Sequence, residues 1–158
     1  MPNASTSFFG WVAFLLQKYG MLFLRGTGMT LLIALTGTAL GFALGLLVAI
    51  IRTIALPEKK KAGSNAGVIV KRGLLRFVHM LMNVYIQVFR GTPMIVQAVV
   101  IYYGAQYAGV FMDTTFAAVF IISINTGAYM AEIIRGGIVS VDKGQFEAAH
   151  AIGMTHWQ

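Results

Sequence analysis

Three long stretches of this chain carry no charge: Gly26 to Ile51, Gly91 to Met112, and Thr114 to Ala131, the last continuing apolar to Ile134. About 20 residues of helix cover the ~30 Å of bilayer hydrocarbon, so each stretch reads as a candidate transmembrane span. Charged residues are 11% of the whole and hydrophobic ones 58%, where soluble domains average about 25% charged. A compact soluble domain would lack the polar surface to cover so much apolar mass, which makes the bilayer the natural solvent. The class expected is all-α and polytopic.

A fourth apolar stretch, Phe8 to Leu16, is too short to cross and is followed by Gln17 and Lys18. It reads as an N-terminal interfacial helix. It is a poor signal peptide, because its first basic residue follows the apolar run instead of preceding it.

Net charge is +7 from 12 Lys and Arg against 5 Asp and Glu. The excess is localised: Arg52, Lys59, Lys60, Lys61, Lys71, Arg72 and Arg76 fall between the first two spans, while the turn at Asp113 has no basic residue. A basic cluster between apolar runs marks a cytoplasmic loop and not a nucleic-acid surface, so no nucleic-acid partner is expected. By the same bias the C-terminal tail is cytoplasmic, and the N-terminus and Asp113 are outside. Lys18 and Arg25 oppose this only modestly. The absence of Cys excludes disulfides and thiolate chemistry, and His79, His150 and His156 are too scattered for a metal site.

Within the first span Gly37, Gly41 and Gly45 recur every fourth residue and share one helix face. Small residues let another backbone approach closely in lipid. The face serves either a helix contact inside one subunit or a subunit interface.

Before the second span Arg76, His79, Asn83, Gln87 and Arg90 form a polar stripe at spacings of three and four. A helix from 73 to 112 would be about 60 Å long, twice the hydrocarbon thickness, so it must bend. Thr92 and Pro93 supply the break, Thr as an N-cap and Pro at the first helical position. Residues 73 to 90 are then expected to lie along the cytoplasmic face. Their stripe would face headgroups or water, or else a translocation path.

In the third span Asn125, Tyr129 and Glu132 share a face. An unpaired amide near mid-membrane costs several kcal/mol, so Asn125 needs a partner. An interhelical hydrogen bond and the lining of a solute path satisfy that need equally well, while Glu132 can pair with Arg135 at i, i+3. After this span the chain turns hydrophilic. Asp142 can cap a helix with Gln145 as its third residue, running through Phe146, Ala149 and Ile152 until Gly153 stops it. Thr155 could open another short helix. The apolar edge of Phe146, Ala149 and Ile152 calls for another protein surface.

Two blocks resemble a known family. Residues 85–93, Tyr-Ile-Gln-Val-Phe-Arg-Gly-Thr-Pro, with Arg90, Gly91, Thr92 and Pro93 at their end, are similar to the approach to the second span in ABC importer permeases for polar amino acids, the histidine, glutamine and arginine type. Residues 128–137, Ala-Tyr-Met-Ala-Glu-Ile-Ile-Arg-Gly-Gly, followed by Lys143-Gly144-Gln145, Glu147-Ala148-Ala149 and Gly153, resemble that family's approach to its EAA loop. The resemblance covers about residues 20 to 158.

It implies a five-helix permease fold, of which residues 1–158 would be the N-terminal part of the transmembrane domain, the chain continuing beyond Gln158 to further spans. It also implies a multi-pass subunit of a bacterial inner membrane that pairs with a second permease subunit, receives solute from an extracytoplasmic binding protein and couples to a cytoplasmic ATP-binding subunit. Glu147, Ala148, Ala149 and Gly153 would make that ATPase contact, and Asn125, Tyr129 and Glu132 would line the solute path. No Gly-x-x-x-x-Gly-Lys-Ser/Thr loop is present, so ATP would be bound by the partner and the chain would hold no cofactor and be no enzyme. A small membrane scaffold or assembly protein is the alternative. An intramembrane enzyme is weaker, because the spans hold no Ser/His/Asp set and no paired carboxylates.

Overall fold

The computed structural model describes residues 7–54 and 66–155, all strand-free, in five helices: α1 (Phe8–Thr53), α2 (Ala66–Gly91), α3 (Met94–Tyr107), α4 (Thr114–Val139) and α5 (Lys143–Ala151). Lys59, Lys60 and Lys61 of the basic loop, and the residues after Thr155, lie outside the described part. Helices α1 and α4 are each long and apolar enough to cross a membrane, and the bent pair α2–α3 makes a third span if taken as one.

The apolar stretch at the N-terminus forms no helix of its own. It opens α1, a single helix of 46 residues, about 69 Å long at 1.5 Å per residue. Gln17 and Lys18 mark a change of polarity, but nothing there breaks a helix: no proline intervenes, and each backbone bond is satisfied within the segment. Ser7 starts α1 by accepting a hydrogen bond from the Gly10 amide.

The core lies where the second half of α1 meets α4. An added Cβ on Gly37 would stand 2.6 Å from Ile122 Cγ2, on Gly41 2.7 Å from Thr126 Cβ, and on Gly45 2.5 Å from Met130 Cβ and 2.9 Å from the backbone of Ala131 and Gly127. The glycine face therefore packs on α4 of the same chain, with the two backbones in near contact. By contrast Gly20, Gly26 and Gly28, earlier in α1, have nothing within 4 Å of such a Cβ.

Helix α2 crosses this pair. Ile86 joins Val48 and Ala131 in a small buried cluster flanked by Leu44, Met82 and Tyr85. The Tyr85 hydroxyl donates to the Ile124 carbonyl at 2.6 Å, and His79 Nε2 lies 3.0 Å from the Ile51 carbonyl at the end of α1.

The expected break at residues 92–93 is present, and α2 and α3 meet at 110°. Its chemistry differs from the expectation. Pro93 itself is the N-cap of α3 and makes no side-chain capping bond, while the Thr92 hydroxyl turns back to donate to the Val88 carbonyl. The second span is also shorter than the uncharged run that contains it. α3 has 14 residues, about 21 Å, and ends where Gly109 takes φ +80 and Val110 N–H bonds back to the Ala105 carbonyl. Asp113 then caps α4 through the amides of Thr115 and Phe116.

Candidate functional site

The corner between α2 and α3 is closed by a residue that an apolar run hides from sequence reading. Gln97 is 7% exposed. Its amide nitrogen donates to the Phe89 carbonyl at 2.9 Å, the Thr92 carbonyl at 3.0 Å and the Thr92 hydroxyl at 2.7 Å. These groups belong to the last turn of α2 and the corner residue just after it, where carbonyls have no helical partner. The Gln97 oxygen in turn accepts from Asn125 Nδ2 at 3.0 Å, and the same nitrogen reaches the Phe89 carbonyl at 3.2 Å. Asn125 thus spends its amide on an interhelical network that ties α4 to the bend. A sole amide one turn after a Thr-Pro break was the available signal for Gln97: a broken helix must find donors for its orphaned carbonyls.

Seven residues along α4 from Asn125, Glu132 is the hub of an ionic cluster drawn from three helices. Its Oε2 accepts from Arg52 Nη1 at 2.9 Å, across 80 residues of sequence. Its Oε1 accepts from Arg135 at 3.1 and 2.8 Å. Arg90 Nη1 lies 3.8 Å from Oε2, with its guanidinium 5.5 Å from the centre of the Tyr129 ring, a cation–π arrangement. Pairing between Glu132 and Arg135 was legible from their spacing; Arg52 and Arg90 were not linked to them by any local rule.

Between these groups a cavity of about 370 Å³ opens, lined by Arg52, Asn83, Gln87, Arg90, Tyr129 and Glu132 among others. The upper part of the α2 stripe, Asn83, Gln87 and Arg90, borders a cavity of its own chain, and His79 turns toward α1. Of the family motif, Arg90 and Gly91 border this cavity, and Thr92 and Pro93 form the corner beside it.

The hydrophilic tail forms α5. Asp142 caps it, accepting from the Gly144 amide at 2.6 Å, one residue earlier than the Gln145 amide of a standard capping box. Gly153 adopts φ +79, and the Gly153 and Met154 amides close back on His150 and Ala149. A side chain would be strained at that φ, which is why glycine stops the helix there. Phe146 is 57% and Ile152 77% exposed, and Glu147, Ala148 and Ala149 lie on the same short helix. Thr155 is the last described residue, so a further helix beyond it falls outside the structure.

Apolar spans, a bent helix pair and a capped hydrophilic protrusion define an all-α membrane component, and comparison with known proteins gives its family. The chain belongs to the binding-protein-dependent transport system inner membrane components, whose family model matches residues 63–158. It is 38% identical to the L-cystine transport system permease protein TcyB of Bacillus subtilis (strain 168), over 75% of this chain and 44% of that protein. It is 37% identical to the glutamine transport system permease protein GlnP of Escherichia coli (strain K12), over 87% of this chain and 55% of that protein. Among solved structures, the crystal structure of an amino acid ABC transporter with histidines superposes with a TM-score of 0.72 at 34% identity, covering 96% of this chain and 60% of that one. The chain spans about half the length of the curated relatives it matches. These relatives are permease subunits and lend no support to the scaffold or intramembrane-enzyme readings.

Proposed function

We infer that this chain is the N-terminal part of a permease subunit of an ATP-binding-cassette importer for polar amino acids. In this reading it forms one wall of a translocation path with a second permease subunit, receives solute from an extracytoplasmic binding protein, and is driven by a cytoplasmic ATP-binding subunit. The observation that carries the coupling role is the exposed, doubly stopped helix α5 at the end of a spanning helix, with Phe146 and Ile152 uncovered. A rigid protrusion transmits rigid-body motion of an ATPase to the spans, and alternating access follows from rocking of such helices about a central site. Glu147, Ala148, Ala149 and Gly153 are the proposed contact.

Of the three residues read as a solute path, Asn125 and Glu132 are hydrogen-bonded within the chain and tie its helices together, while Tyr129, 43% exposed beside the polar cavity and in a cation–π contact with Arg90, presents the accessible surface. The basic loop and α5 are assigned to the cytoplasm, and the N-terminus and Asp113 to the outside, from the distribution of Lys and Arg.

The coupling role is tested in the full-length permease by Glu147→Arg and by Gly153→Trp. Both are expected to abolish co-purification with the ATP-binding subunit and leave membrane insertion intact; unchanged co-purification would remove the assignment. Orientation is read by thiol labelling, Asp113→Cys from outside and Lys60→Cys only once the cytoplasmic side is opened.

A further inference from the structure

The positive charge on the first half of α2 has no answer among the described residues. Lys71, Arg72 and Arg76 stand on its first three turns, and no acid occurs between Ala66 and Gly91. The ion pairs among the described residues all converge on Glu132. Asp113 and Asp142 are spent on helix caps, and Glu147 lies on α5. Arg72 is the sharpest case. Its Nη1 is shut off from solvent and has no hydrogen-bond partner among the described residues. A buried charged donor left without an acceptor is costly, and such a group calls for a partner from outside the chain.

The surroundings say what kind of partner. The uncharged run of α1 closes at Ile51 and Arg52 follows, so this end of α1 marks a boundary between hydrocarbon and headgroups. His79 Nε2 lies 3.0 Å from the Ile51 carbonyl, which brings α2 to that boundary. Arg76 and Arg72 share the helix face of His79, one and two turns earlier, so the basic face continues past the end of α1 into the headgroup layer. On the opposite face Val70, Leu74, Phe77 and Leu81 recur at helical spacing and are exposed. This is the pattern of a helix resting at an interface, its apolar side in acyl chains and its cations among headgroups.

We propose that Arg72 and Arg76, with Lys71 beside them, form a binding site for the phosphate of an anionic phospholipid of the phosphatidylglycerol or cardiolipin class. The guanidinium fork matches phosphate oxygens with charge-assisted hydrogen bonds, and Arg72 Nη1 gains an acceptor. A zwitterionic lipid brings its own cation and leaves the charge of the patch unanswered, whereas an anionic one neutralises it. A free phosphate ion would satisfy the arginines but not the apolar face behind them, which favours the lipid as the source. The site requires only that α1 crosses the bilayer and is independent of the importer reading.

The test is native mass spectrometry of the full-length permease released from nanodiscs of equal parts phosphatidylcholine and phosphatidylglycerol. Retained lipid is expected to be enriched in phosphatidylglycerol. Arg72→Gln and Arg76→Gln should each lower that enrichment about fivefold, the worth of one cation at an anionic membrane surface, and Arg72→Lys should keep part of it. Lys18→Gln, the same loss of charge far from the patch in α1, should leave it unchanged. Equal retention of the two lipids, an equal fall with Lys18→Gln, or no fall with either arginine variant overturns the site. Displacement of the lipid by inorganic phosphate would make the ligand the free ion and overturn it as well. Glu58 is the acid that lies outside the described residues. A double-mutant cycle of Glu58→Gln with Arg72→Gln that shows the coupling of an ion pair would give Arg72 an internal partner and remove the proposal. Should Arg72→Gln fail to insert, Arg76→Gln and the lipid preference of the unmodified protein decide.

Discussion

Along one face of α4, Ile122, Thr126 and Met130 lie against Gly37, Gly41 and Gly45 of α1; along another, Asn125, Tyr129 and Glu132 meet polar groups of α1, α2 and α3. The first contact is made by the absence of side chains, which lets two backbones touch and dispersion forces act over a long seam. The second is made by side chains that must each find a partner, because an unsatisfied polar group within an apolar bundle is far more costly than the bond is worth. One helix thus carries a face intolerant of added volume beside a face intolerant of altered charge.

The sharpest way to break this contrast is Gly45→Leu. With Met130 Cβ and the α4 backbone already 2.5 to 2.9 Å from a Cβ, neither helix can yield without parting, and a loss of about 3 kcal/mol or more is expected. Reversible unfolding in mixed detergent micelles measures it, and a loss below that of an ordinary surface change would show that the seam is loose. On the charged face, Glu132→Gln leaves Arg52 and Arg135 without their counter-charge; with these side chains 16 to 35% exposed, the expected cost is about 2 kcal/mol, below that of a fully buried pair. A double-mutant cycle with Arg52→Met reports whether the coupling resides in that pair.

Asn125→Leu removes the bonds to Gln97 and the Phe89 carbonyl and should cost about 1 kcal/mol, in keeping with interhelical hydrogen bonds in membranes. Its more telling readout is the α2–α3 angle, followed by spin-label distances across the bend. At the N-terminal end of α4 the effect is local. The amides of Phe116 and Thr115 hold the Asp113 carboxyl below its usual range. A depressed folded-state value means that the cap contributes above the unfolded value and fades as pH falls through the folded one. The protection of the amides of residues 115–117, taken relative to their intrinsic exchange rates at each pH, should therefore fall in acid, and Asp113→Asn should flatten that dependence. Smallest of all, Gly20→Ala, with open space around its Cβ, should change stability by no more than about 1 kcal/mol, on the stabilising side through helix propensity. A large loss there would mean that the first half of α1 is packed as closely as the second.

Much of the framework was readable from local spacing. The three uncharged runs, the break before Met94, the Asp142 cap and the Gly153 stop follow from interactions within about four residues, which a sequence displays directly. Misreadings arose where a local cue had to stand for a distant one. Gln17 and Lys18 looked like the end of a short interfacial helix, yet a change of polarity does not interrupt backbone hydrogen bonding, and α1 runs on unbroken. Thr92 looked like an N-cap, but once the chain bends its hydroxyl is better placed to bond Val88, and Gln97 satisfies what remains. The α2 stripe has helical periodicity, which defines a face without saying what lies opposite it.

The sequence by itself determined where helices begin, bend and stop, that they are apolar enough for a bilayer, and, through two ordered motifs, which transporter family to expect. Only the tertiary structure decided that the glycine face meets α4 of its own chain, that Asn125 answers Gln97, and that Arg52 reaches Glu132 across 80 residues of sequence. Propensity, capping and periodicity act over a few residues, whereas the partner of a buried amide or carboxylate is chosen by how helices remote in sequence cross, and a crossing is a property of the packed chain as a whole.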